Sequence, residues 1–256
     1  MGLFDLPAPL FGLIDHLLGV VLPAVVRLSL WGILAGWLTM MVYRRLSNQE
    51  KIQALKDEQK FQQKEIAAFD GEMRQLFPLI RHTLGLGMRQ LALSLGPALL
   101  ATIPALFLLV WVAGQFGHKL PYPGSRIEIF VPEEQRPAPG VEWQPGDYAV
   151  RTGEGWMIIW PPNTELIEMV QSGQVLLELP MEKPIPVIHK KRWWNLLMAN
   201  PIGYLPDDAS VDVVEIGLTP QEFLPFGPDW IRGWMFTFFT LFLLSSIVFK
   251  LLFKID

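Results

Sequence analysis

The chain has no cysteine among its 256 residues and little charge, with only 18% Asp, Glu, Lys and Arg. Without cysteine there is no disulfide framework and no thiol chemistry. HExxH, CxxC, P-loop and GxSxG segments are also missing, and His16, His82, His118 and His189 are scattered. None of them pairs at the helical spacing that metal sites use, so neither metal nor cofactor is expected. No basic, aromatic-interleaved patch points to sequence-specific nucleic acid. Nothing in these motifs predicts an enzyme. The first residues carry Asp5 and Asp15 and no Lys or Arg before Arg27. A secretory signal starts basic, so residues 1–16 are expected to be a retained segment lying at a membrane interface.

What the chain has instead is apolar length. Hydrophobic residues make up 51%, with ten Trp and sixteen Phe. About 20 predominantly apolar residues cross a bilayer. Three segments meet that length: 17–43, interrupted by Arg27; 91–116, free of charge; and 230–250, with Arg232 at its lip. Residues 44–90 hold nine Lys or Arg against six acids, whereas 117–230 hold eight against sixteen. Basic loops stay cytoplasmic. The expected topology therefore puts the N-terminus and 117–229 outside, with 44–90 and the tail 251–256 in the cytoplasm. That is a multi-pass protein of a prokaryotic plasma membrane.

Between the first two spans, Ile52, Leu55, Gln59, Gln62, Ile66, Phe69, Met73, Leu76 and Ile80 alternate steps of three and four, a heptad seam. Ser47 with Glu50 fits a capping box. Because the chain must return to the membrane, an antiparallel helical hairpin over 46–82 is predicted. Its bend is expected at Asp70-Gly71 or at Pro78. Residues 117–229 differ in kind: RIEIFVP, WMIIWPP, QVLLELP, PVIHKK and VDVVEIGL are punctuated by PYPG, RPAPG, QPGD and PPN. That pattern predicts a small β domain. KRWWNLLMAN (191–200) reads either as an amphipathic helix on the outer leaflet or as a loop helix packed on the sheet. Trp193, Trp194, Trp230 and Trp234 are the expected interface anchors.

The polar groups inside the spans are the candidate site. Arg27 lies sixteen residues before Tyr43, about 24 Å from the cytoplasmic edge of its helix. Such an arginine either snorkels to the outer headgroups or faces a polar groove. An apolar helix reaching back to Leu17 favours the groove, because it would place Arg27 deeper. Gly233, Thr237 and Thr240 fall on one helical face, with Ser245 and Ser246 beyond. Hydroxyls there either line a groove or satisfy backbone and glue helices together. Gly32 and Gly36 form GxxxG, a close-packing pattern. Pro97 and Pro104 are expected to bend the second span.

WLTMMVYRRLSNQEKIQALKDEQK, WVAGQFGHKLPYP and PFGPDWIRGWMFTFFTLFLL give this order a resemblance. They are a first span running into a basic coiled-coil arm, the exit of a second span, and a Trp-led entry to a third. The chain resembles the Oxa/YidC/Alb superfamily of membrane-protein insertases, most closely its compact three-span branch, over about residues 10–123 and 225–253. The resemblance implies an α-helical membrane protein with a client groove and no nucleotide hydrolysis. Arg27 would be the groove charge, with Thr237, Thr240 and Ser245 lining it. Ile52, Leu55, Ile66, Phe69, Met73 and Leu76 would belong to a cytoplasmic capture hairpin. The implied partners are membrane lipids, nascent or short-tailed membrane proteins, and a ribosome or other membrane-complex subunits. Compact members have a short outer loop where this chain inserts its mainly-β domain. A structural or assembly subunit, whose outer domain binds a partner, is the rival expectation.

Overall fold

The computed structural model describes residues 2–71, 73–132, 140–196 and 198–255, with the side chains of 73–75 also outside the described set. The helices are α1 (Ala8–Gly19), α2 (Ala24–Leu46), α3 (Gln49–Ala67), α4 (Met73–Phe116), α5 (Asp229–Arg232) and α6 (Trp234–Leu252). The strands, all between α4 and α5, are β1 (Arg126–Phe130), β2 (Val141–Gln144), β3 (Ala149–Arg151), β4 (Gly155–Ile159), β5 (Ile167–Gln171), β6 (Gln174–Leu179), β7 (Val187–His189) and β8 (Val213–Ile216). Three helices are long and apolar enough to cross a membrane: α2, α4 from Leu76, and α6. The chain divides into two compact units, Met1–Ser29 with Phe107–Phe238, and Leu30–Leu106 with Phe239–Asp256.

The first unit is built on two antiparallel sheets, ordered β3-β4-β1-β8-β7 and β2-β5-β6. Alternation puts Ile127, Ile129, Trp156, Ile158, Ile167, Met169, Val214 and Ile216 into one buried cluster. The β5–β6 turn runs through Ser172 and Gly173, both at positive φ, as a two-residue hairpin needs. All five strands expected from the sequence form. β2, β3 and β5 are short additions that polar and Gly-rich flanks concealed. Residues 193–196 are turns, not the helix that KRWWNLLMAN suggested. Asn195 explains this, because its buried side chain bonds the Lys190 carbonyl and the Arg192 N–H, both at 2.7 Å. A helix would forfeit both bonds.

The N-terminus is sewn into that turn. Leu3 N–H donates to the Leu196 carbonyl at 2.8 Å. Buried Asp5 accepts from Gly2 N–H at 2.8 Å and from Asn200 N–H at 2.7 Å. Phe4 packs on Phe107 and Phe11 on Trp111, so α1 lies on the end of α4. Beyond α4, Lys119 N–H bonds the Thr219 carbonyl and Gln221 N–H the Gly117 carbonyl. The exit of one apolar helix is thereby paired with the entry to the next. Gly233 belongs to this frame. It bridges Glu222 in an extended conformation, so the last helix starts at Trp234 and Gly233 does not share its face.

In the second unit, α2 runs into α3 through Ser47 and Asn48. The cap is Asn48, which accepts from Lys51 N–H at 3.1 Å, while the Ser47 hydroxyl is turned back to the Tyr43 carbonyl. The hairpin turns between Ala67 and Met73, on the Asp70-Gly71 side. Pro78 sits within continuous α4 and makes no bend of the hairpin. Gly87 of α4 faces the Gln59 amide, 3.8 Å from where its Cβ would lie, so the two arms run side by side there. The first span likewise differs from expectation. Leu17–Gly19 end α1, and α2 begins only at Ala24, after Pro23.

A Cβ on Gly36 would sit 2.0 Å from Ser245 Oγ and 2.6 Å from the Phe242 carbonyl oxygen. Gly36→Leu should cost about 1–3 kcal/mol, seen as a lower melting temperature in detergent. Ser245→Ala in that background should restore only part, since the carbonyl remains. In the β domain, the Lys190 ammonium donates to Asp212 at 2.9 Å and lowers its pKa from 3.8, with Arg192 adding to the effect. The carboxylate's contribution is present above pH 3.8 and fades as the pH falls through the lowered value. Asp212→Asn should therefore destabilise at neutral pH by less than about 1 kcal/mol, since the pair is partly exposed. The difference from wild type should vanish in strong acid.

Candidate functional site

Arg27 is the fourth residue of α2, and it is engaged. Its Nη1 donates to the Asp15 carboxylate of α1 and, at 3.2 Å, to the Asp15 carbonyl. Asp15 retains 3% side-chain exposure and Arg27 19%. The guanidinium also lies 5.6 Å from the centroid of the Phe116 ring, a cation–π distance. Gly19 is part of the arrangement, since a Cβ there would come within 3.1 Å of Arg27 Nη1. The last turn of α1 adds carbonyl dipoles that favour a nearby cation. Arg27 Nε has no hydrogen-bond partner among the described residues. With its helix starting at Ala24, Arg27 is nearer the helix end than a span from Leu17 implied, and it faces α1.

The hydroxyls of α6 separate into two kinds. Ser245 is buried and donates to the Phe242 carbonyl at 3.0 Å, and Ser246 donates to the same oxygen at 2.7 Å. These groups satisfy backbone, and Gly36 lies against both serines. Thr237 is also buried, yet its Oγ1 has no hydrogen-bond partner among the described residues. A buried hydroxyl left unpaired costs about 1–3 kcal/mol, so Thr237 is the hydroxyl with capacity to spare. Thr240 is half-buried one turn on. Arg27 and Thr237 belong to the first unit, Thr240 and Ser245 to the second.

In the arm, Ile52 and Leu55 are buried and hold its base, so they are closed to a ligand. Ile66, Phe69 and Leu76 are half-buried, and the Met73 side chain lies outside the described residues. Ile80, the last position of the expected seam, is exposed instead of packed, and so are Phe61 on α3 and Phe77, Leu84 and Met88 on α4, which lie off the seam. The seam marks the inward positions, and the outward apolar positions form a second row beside it. Their signal was present: 77, 80, 84 and 88 repeat at helical spacing. Of the four tryptophans expected as interface anchors, Trp193, Trp194 and Trp230 are exposed and Trp234 is half-buried.

The pairing of Arg27 with Asp15 makes a double-mutant cycle decisive. Arg27→Gln takes the guanidinium away from a buried carboxylate and should cost about 3–5 kcal/mol. Adding Asp15→Asn should recover most of the loss, read as melting temperature in detergent. A free groove charge would give no such recovery.

Comparison with known proteins adds no relative: no family model, no curated protein and no solved structure matches this chain.

Proposed function

We propose that the chain is a membrane-protein insertase or membrane chaperone of the Oxa/YidC/Alb kind, working without nucleotide hydrolysis. The arm is the observation that carries this reading. α4 has 44 residues, about 66 Å at 1.5 Å per residue, whereas a hydrocarbon core is about 30 Å thick. Half of that helix and all of α3 therefore extend beyond a bilayer. This extension still bears exposed Phe61, Phe77, Leu84 and Met88. A purely supporting arm gains nothing from exposed aromatic and aliphatic groups. An arm that receives apolar client segments does.

In this reading α2, α4 and α6 cross the plasma membrane of a prokaryote. The hydrogen bonds from Gly2–Asp5 to residues 196–200 keep the N-terminus and the β domain on one side. The excess of acids in 117–230 puts that side outside, and the basic arm and the C-terminus in the cytoplasm. Arg27 offers a client the guanidinium edge that Asp15 does not use. Burial of the client's apolar segment supplies the free energy. The assembly-subunit reading draws on a different observation. Asp15 already neutralises Arg27, and the sewn outer frame suits a platform for a fixed partner.

A photo-crosslinking residue at Phe61, in living cells, separates the two. A spread of nascent or short-tailed membrane proteins is the expected result. One stoichiometric partner would replace the insertase with the assembly subunit, and an absence of adducts would remove the capture role from the arm.

A further inference from the structure

The apolar positions of α4 do not stop where a bilayer would. Leu84, Met88, Leu91 and Leu95 are all exposed and succeed one another at helical spacing, so a single stripe runs from the arm into the candidate span. Beside it lies a second stripe. Pro78, Arg81, His82, Gly85, Leu86 and Arg89 line a shallow groove. Arg81, Gly85 and Arg89 stand four residues apart, so the two arginines flank the glycine over about 12 Å of helix. A Cβ on Gly85 would meet nothing within 4 Å, which leaves the space between them open. Neither arginine makes an ion pair with a described residue, and α4 contains no Asp or Glu at all.

A basic groove beside an apolar stripe that continues into the span matches one occupant in both its parts. We infer that this face of α4 docks on the anionic phospholipids of the leaflet next to the arm. Phosphate groups occupy the Arg81–Gly85–Arg89 groove, where guanidinium donors pair two N–H groups with phosphate oxygens. The acyl region receives Leu84 and Met88. A water-soluble acidic protein would fit the arginines and leave the stripe bare. Neutral lipid would cover the stripe and leave the arginines unused. α4 would then be tilted with this face toward the headgroups, held there by lipid charge. The inference rests on α4 crossing the bilayer, as the reading above requires, and it leaves Phe61 and Phe77 as the groups free to meet a client.

The absence of native cysteine makes the test direct. Leu84→Cys and, separately, Leu99→Cys are labelled with an environment-sensitive fluorophore in the full chain. The protein is reconstituted into vesicles of phosphatidylcholine, with or without phosphatidylglycerol, and aqueous iodide is the quencher. At position 84, phosphatidylglycerol should blue-shift the emission and protect the probe from iodide. High salt should reverse both effects. Arg81→Gln with Arg89→Gln should abolish the dependence on lipid charge, each arginine contributing about a fivefold change in the docked fraction. Iodide access at 84 in both lipids would overturn the inference, as would equal protection in neutral vesicles or in the double variant. The probe at 99 should be shielded in every vesicle. If it is not, α4 does not cross the bilayer and the underlying reading fails; if it is shielded while 84 stays open, only the docking fails.

Discussion

A carboxylate and a guanidinium in one apolar stretch leave the chain little choice. Asp15 and Arg27 each carry a desolvation cost of several kcal/mol if buried alone. Twelve residues apart, they meet only if the chain reverses between them, and Val20–Pro23 provides the reversal. Once they meet, α1 is fixed against the start of α2 and cannot be the first turns of a longer span. Phe4 and Phe11 then fall against Phe107 and Trp111. The residues before α1 reach the β domain, where Asp5 accepts two backbone N–H groups. Much of the first unit's frame follows from neutralising one arginine.

The same pair shows where sequence reasoning succeeds and where it stops. Apolar length and strand alternation are local, and they located three long apolar helices and five of the eight strands. The heptad seam found the arm, and Ile52 and Leu55 are buried as its inner positions should be. What was not legible depended on partners distant in sequence. Asp15 was visible as a charge that argues against a signal peptide, and Arg27 as a charge in a span. The clue that joins them is the proline between two opposite charges in an apolar run. KRWWNLLMAN has helical spacing, yet Asn195 finds backbone partners at 190 and 192 and holds it as a turn. Side-chain bonds of this kind compete with the helix locally, and composition does not reveal which will win.

The hydroxyls of α6 carry a related lesson. Thr237, Thr240 and Ser245 look alike in sequence, as polar groups in an apolar helix. Ser245 spends its proton on its own helix, where Gly36 also makes room for it. Thr237 has no such partner among the described residues. The difference lies in rotamer and neighbour, neither of which spacing encodes. Spacing therefore nominates these hydroxyls alike, while their hydrogen bonds decide which has unused capacity.

The arm adds a constraint of length. About twenty apolar residues suffice to cross a membrane, and α6 has nineteen. α4 continues to 44 through Pro78, Pro97 and Pro104. Each proline removes a backbone donor and crowds the preceding turn, so the extra turns are not favoured by helix propensity alone. Ile52, Leu55 and Leu86 are buried and supply packing at the base of the hairpin. Toward the tip, Gln59 and Gln62 take seam positions where apolar residues would pack better. An arm built for rigidity would close that seam with leucine. This one is anchored at its base, polar within its seam, and bears Phe61, Phe77, Leu84 and Met88 among charged groups on its outside, an arrangement that gives up internal stability while hydrophobic surface stays available.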